Sequence, residues 1–160
     1  MPRVELIAAT ADDTHAIGRA IGAALRGGEL LALRGPLGAG KTALVRGIAE
    51  GLSVPPDEVA SPTFVLLREY AGRLRLLHLD CYRLADAAEL LDVGWDEFRA
   101  DSHSVVALEW SDRAAELIDF DAIRISLEYD GAGRRIAIDL PANQTGLVNS
   151  LTRLHMQRVK

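Results

Sequence analysis

Lysine is almost absent from this chain of 160 residues: it stands at positions 41 and 160, and arginine supplies the rest of the 18 basic side chains. Cysteine occurs once, as Cys81. That excludes an intramolecular disulfide and any cysteine-based zinc framework. No apolar run approaches the roughly 18 residues that a membrane-spanning helix needs. The first residues, Met1-Pro2-Arg3-Val4-Glu5, are charged and lack the apolar stretch of a secretory signal. Excess positive charge is missing too. A net charge of −5 and a pI near 5.3 argue against binding nucleic acid by bulk electrostatics. Arg68, Arg73, Arg75 and Arg83 fall close together in sequence, either as a local patch or as a solvated polar face. These exclusions leave one globular domain over residues 1–160, with 49% hydrophobic residues to build its core. A reducing, cytoplasmic setting without membrane contact fits best.

The one internal lysine lies in Gly35-Pro36-Leu37-Gly38-Ala39-Gly40-Lys41-Thr42, a full match to G-x-x-x-x-G-K-[ST]. Glycines let such a loop wrap with its N–H groups inward, so that backbone dipoles make a nest for phosphate oxygens. A side chain at Gly38 or Gly40 would stand in the phosphate's place or forbid the required backbone angles. A lysine at position 41 reaches the β- and γ-phosphates, and the Thr42 hydroxyl can ligate Mg²⁺. The flanks agree. Glu29 to Arg34 is an apolar run of strand length. Lys41 to Ala49, including Ala43 and Leu44, reads as a helix with Gly51 as its C-terminal stop. Phosphates in such a loop also meet a helix N-terminus. The pattern predicts a nucleoside triphosphate site. Guanine readers of the familiar kind carry an N-K-x-D segment, which neither lysine here can supply, so ATP is the expected nucleotide.

Elsewhere the pattern alternates. Val4 to Ala8 reads as a strand, and Thr10-Ala11-Asp12-Asp13 as the start signal of a helix reaching Gly27-Gly28. Phe64 to Tyr70 and Leu74 to Leu79 suggest a hairpin around Ala71-Gly72. Helix is expected over Ala85 to Leu91, near Trp95 to Phe98, over Arg113 to Ile118, and around Leu147, Leu151 and Leu154. Val105 to Leu108 reads as a buried strand, and Ile123 to Tyr129 with Arg135 to Leu140 as a closing hairpin. The fold class this predicts is α/β: a three-layer sandwich of the P-loop NTPase type, with a mixed central sheet.

Phosphoryl transfer needs a carboxylate to hold Mg²⁺ and a group to position the attacking oxygen. Two strand ends offer one: Leu76-Leu77-His78-Leu79-Asp80 and Val105-Val106-Ala107-Leu108-Glu109. Either could hold the metal. Thr63, in Ser61-Pro62-Thr63-Phe64, could close over the γ-phosphate, or the segment could be a proline-stiffened turn. His78 shares a strand face with Asp80, but two residues do not make a metal site. Trp110 could be core or could stack on a base or partner.

Together these segments resemble the bacterial TsaE (YjeE) ATPases of tRNA threonylcarbamoyladenosine formation. The resemblance rests on Gly35–Thr42, Ser61–Phe64, His78-Leu79-Asp80-Cys81-Tyr82-Arg83-Leu84, Glu89-Leu90 through Gly94, and Leu108-Glu109-Trp110, in family order. One departure is Ser111, where the family usually has proline. The resemblance implies an ATPase weak or idle alone, working with the partner complex that attaches threonylcarbamoyl to tRNA adenosine. It implies that Lys41 holds phosphates within a nucleotide-binding run from Gly35 to Ala43. It further implies that Thr42 and Glu109 hold Mg²⁺, and that Asp80 orients or deprotonates water. Thr63 would belong to a switch loop, and Trp110 would be functional. Thr10 and Arg134 are similar to positions near the adenine or ribose. Direct contact with tRNA is left open. The rival readings are a small-molecule kinase with Asp80 as base, and a nucleotide-gated binding module.

Overall fold

Seven strands form one sheet in a computed structural model that describes residues 2–59 and 66–158: β1 (Arg3–Ala8), β2 (Leu30–Arg34), β3 (Leu67–Tyr70), β4 (Arg75–Asp80), β5 (Ser104–Glu109), β6 (Ile123–Asp130) and β7 (Gly133–Asp139). Their spatial order is β1-β7-β6-β2-β5-β4-β3. The middle of the sheet is parallel, with β2 pairing β5 and β6, and β4 pairing β5. Antiparallel pairs finish both edges, so the sheet is mixed. Both sequence-predicted hairpins form over the described residues, the first from Leu67 onward, with Phe64 and Val65 lying outside them.

Helices α1 (Ala11–Ala24), α2 (Lys41–Gly51) and α5 (Thr145–Arg158) cover one face. The short helices α3 (Ala88–Asp92) and α4 (Trp95–Ala100) and a 3-10 segment, Ser111–Leu117, cover part of the other. The alternation along β5 explains the layers. Val105 and Ala107 pack toward α1 and α2, while Val106 and Leu108 pack toward α3 and α4. A parallel strand buried on both faces therefore reads as a continuous apolar run. Among the described residues no helix is long and apolar enough to cross a membrane.

Thr10 caps α1 as its sequence predicts: its hydroxyl accepts from Asp13 N–H, and the Asp13 carboxylate accepts from Thr10 N–H in return. Three expectations change, the first being that the helix expected from Ala85 begins only at Ala88. Arg113 to Ile118 lies in 3-10 geometry with a non-helical break at Ala114. Gly51 does not stop α2 but belongs to it, and its role is packing. A Cβ on Gly51 would stand 2.4 Å from the Arg19 carbonyl of α1. Gly47 would meet His15 O at 2.1 Å, Gly18 would meet Leu44 O at 2.3 Å, and Gly22 would meet Ile48 O at 2.1 Å. Glycines spaced by four on both helices thus let α1 lie directly on α2, backbone against backbone.

Gly47→Ala is therefore expected to push the two helices apart and cost about 3 kcal/mol, an overpacking penalty with no flexible side chain to yield. Thermal unfolding should then fall by about 9 °C. A midpoint within 2–3 °C of the parent (roughly what a penalty under 1 kcal/mol gives) would refute this packing role.

Candidate active site

The parallel register brings three strand ends together. Leu33 of β2 stands opposite Glu109 of β5, and Glu109 stands opposite Asp80 of β4. The Gly35–Thr42 loop leaves β2 at this same end and enters α2. Ligands of open α/β sheets bind beyond the C-terminal ends of the strands. Gly38 (φ 78°) and Gly40 (φ 103°, the N-cap of α2) use backbone angles that glycine adopts freely.

Lys41 is buried, and its ammonium donates to the carbonyls of Gly35 at 2.6 Å and Pro36 at 2.9 Å. It also lies 4.1 Å from the centre of the Trp110 ring. Burial lowers its pKa, with Glu109, Asp80 and Asp112 pulling the other way. The Thr42 hydroxyl donates to Glu109 Oε1 at 3.2 Å. Glu109, buried at the end of β5, also accepts from Nε2 of the fully buried His78. Asp80 is partly buried, and its Oδ1 accepts from Tyr82 N–H at 2.8 Å. Burial first, and the Glu109 charge after it, raise the Asp80 pKa above its ordinary 3.8.

Lys41, Thr42, Ala43, Asp80, Glu109 and Trp110 line one cavity of about 260 Å³, together with Tyr82 and Leu37. A second cavity, of about 160 Å³, lies on the other side of Gly38, Gly40 and Ala43 and is lined by Thr10, Ala39 and Arg134. The two share those three loop and helix residues, and the second is a groove beside Thr10 and Arg134. A larger cavity of about 490 Å³, lined by Arg26, Glu29, Arg99 and the first turn of α5, opens near the N-terminal end of β2, away from this chemistry.

Trp110 packs against the α3/α4 side of the core, the first of its two alternatives, and also presents its face to Lys41. Its backbone is left-handed (φ 56°), costly for a bulky residue and frequent where a site over-determines the chain. Tyr82 stacks against it at 4.9 Å, and the Arg113 guanidinium lies 5.5 Å from the Tyr82 ring. Thr63 and the whole of Ser61–Phe64 lie outside the described residues. Two arginines of the basic cluster are engaged within the fold: Arg73 donates to Leu25 and Gly22 carbonyls, and Arg75 to Ser104 and Asp101.

Sequence reasoning passed over His78 and missed Tyr129. The Tyr129 hydroxyl donates to the Leu37 carbonyl, which no local pattern announces. Cys81 follows Asp80 but is fully buried, and its thiol is pushed up to about 12 by burial and nearby carboxylates. Cys81 is therefore expected to resist Ellman's reagent at pH 8 until the protein unfolds. Prompt labelling of the native protein would contradict that burial.

The fold and this loop-and-carboxylate cluster define the class: a P-loop NTPase-like α/β sandwich. Residues 8–137 match the family model for the threonylcarbamoyl adenosine biosynthesis protein TsaE, and the chain belongs to that family. The TsaE protein of Treponema pallidum is 39% identical over 129 residues, covering 81% of this chain and 94% of the relative. That of Bacillus subtilis is 37% identical over 125 residues, covering 78% and 77%. The crystal structure of Bacillus subtilis YdiB superposes with a TM-score of 0.76 at 28% identity, covering 95% of each chain.

Proposed function

We propose that this protein binds and hydrolyses ATP with Mg²⁺, and that this hydrolysis supports a partner protein complex forming threonylcarbamoyladenosine in cytoplasmic tRNA. The observation that carries the reading is convergence: Lys41, Thr42, Asp80 and Glu109, from three separate chain segments, line one cavity at the mouth of the Gly35–Thr42 loop. Family membership supplies the tRNA-modification setting.

In this reading the loop amides and Lys41 bind the β- and γ-phosphates. The nucleoside extends into the groove beside Thr10, Ala43 and Arg134. The Thr42 hydroxyl and the Glu109 carboxylate are adjacent hard oxygen donors, the set that suits Mg²⁺, which keeps its remaining places for water and phosphate oxygens. Bound there, Mg²⁺ would supply neutralisation of charge on the transferring phosphate. His78 holds the Glu109 carboxylate in place from behind. Asp80, free of the Thr42 contact and raised in pKa, orients the attacking water and takes its proton. Trp110 closes the wall beside Lys41. Thr63 is assigned to a switch loop on family resemblance.

Phosphate release from ATP, by the chain alone and with the tRNA-modifying complex added, tests the proposal. Slow release that rises with the complex is the expected result. ADP formed together with a phosphorylated acceptor would instead make the protein a kinase.

A further inference from the structure

The Arg134 guanidinium lines the groove, yet its donors are directed at backbone. Nε donates to Ala39 O and Nη2 to Gly38 O, both at 3.2 Å, and Nη1 to Gly133 O at 2.8 Å and Ala132 O at 3.3 Å. Its partner across the hairpin is Tyr129, directly opposite in register, and the guanidinium lies 4.6 Å from the centre of that ring. Tyr129 in turn donates to Leu37 O. Three successive loop carbonyls, of Leu37, Gly38 and Ala39, are thus gripped by one cross-strand pair of β6 and β7.

We propose that Tyr129 and Arg134 are positioning residues that clamp the phosphate loop into its anion-binding shape before any nucleotide arrives. The physical reason lies in the peptide unit. In a planar trans peptide the carbonyl and the next residue's N–H point in opposite directions. Holding Leu37 O and Ala39 O toward the hairpin turns the N–H groups of Gly38 and Gly40 away from it. The middle unit closes the loop on itself, since Ala39 N–H donates to Pro36 O at 3.1 Å. The clamp stands on fixed ground. A Cβ on Gly133 would meet Ala8 O of β1 at 2.6 Å, and one on Gly35 would meet Leu127 O of β6 at 2.5 Å, so hairpin and loop are seated backbone to backbone. Gly38 lets the Tyr129 hydroxyl come close, with only 3.2 Å to the place of a Cβ. A loop ordered in advance loses less freedom on binding, which is the general source of affinity from preorganisation. Arg134 therefore acts on the phosphates through the loop.

The inference rests on the nucleotide reading for its purpose but not for its structural test. Tyr129→Phe removes one hydroxyl and keeps the ring under Arg134. Arg134→Met removes the fork. In nucleotide-free protein, amide hydrogen exchange at Ala39, whose N–H is bonded to Pro36 O, should quicken about tenfold in both variants, while amides of β2 and β5 keep their parent rates. Affinities for ATP and for inorganic tripolyphosphate, which has no nucleoside, should fall by the same factor. That factor is about fivefold for Tyr129→Phe, the range of one hydrogen bond, and larger for Arg134→Met. Unchanged loop exchange would overturn the clamp. So would an Arg134→Met loss seen with ATP but not with tripolyphosphate, because the arginine would then be reading the nucleoside. If the parent protein bound neither ligand, the nucleotide reading would fail, and loop exchange alone would decide the clamp.

Discussion

Lys41→Ala is expected to weaken ATP binding about 100-fold, the range of a lost charge-assisted contact to phosphate. No other lysine of the described chain can substitute, because position 41 holds the only internal one. The geometry says more than the motif. The ammonium is held by the carbonyls of Gly35 and Pro36 and by the face of Trp110, so it sits inside the loop rather than in solvent. Binding requires an exchange of those contacts for phosphate oxygens. Isothermal titration calorimetry with ATP checks the prediction, and circular dichroism confirms that the variant folds. A loss of less than fivefold would show that the loop amides alone carry the phosphates, and the role given to Lys41 would be wrong.

Asp80→Asn should lower ATP turnover in the partner-stimulated system by about 10² to 10⁴, the usual contribution of a positioned general base, with ATP affinity kept within a few-fold. The same substitution should stabilise the nucleotide-free protein at pH 7. The sign follows from the raised pKa of Asp80, caused by burial and the neighbouring Glu109. A carboxyl whose folded pKa lies above its unfolded value favours the fold while protonated. That advantage is lost as pH rises from 3.8 through the folded value. Ionised Asp80 is thus a cost the fold bears at neutral pH, and a neutral amide removes it. The stability difference between variant and parent should shrink as pH falls below 3.8, where both side chains are uncharged. Thermal unfolding across pH 3–7 and steady-state phosphate release together check both halves. Normal turnover by Asp80→Asn would remove Asp80 from catalysis, and a destabilised variant at pH 7 would contradict the assigned environment.

Much of the candidate site was legible before any fold was known, because its signals are local in the chain. A phosphate loop needs glycine, lysine and threonine at fixed short spacing, and eight consecutive residues display it. The Thr10–Asp13 box is equally local, since both partners sit within one helical turn. Strand ends carrying Asp80 and Glu109 could be read as candidates because an apolar run stops at a carboxylate. The same runs announced a sheet buried on both faces. Gly51 misled for a physical reason: glycine after a helical pattern signals a stop, but here it removes a Cβ where another helix presses in.

Only the tertiary structure decided how these pieces meet. The strand pattern alone left Asp80 and Glu109 interchangeable, and only the family resemblance gave them separate roles. Parallel pairing of β4 with β5, and of β5 with β2, puts Glu109 against Thr42 and leaves Asp80 beside Tyr82. His78 became a support for Glu109 by the same register. The grip of Tyr129 and Arg134 on the loop spans 92 and 95 residues of chain, and the helix contact at Gly18, Gly22, Gly47 and Gly51 joins two separate helices. Residues that act on their chain neighbours declare themselves by spacing. Residues that act across strands and helices do so through backbone placement, which depends on packing of the whole sheet and appears only once that sheet is assembled.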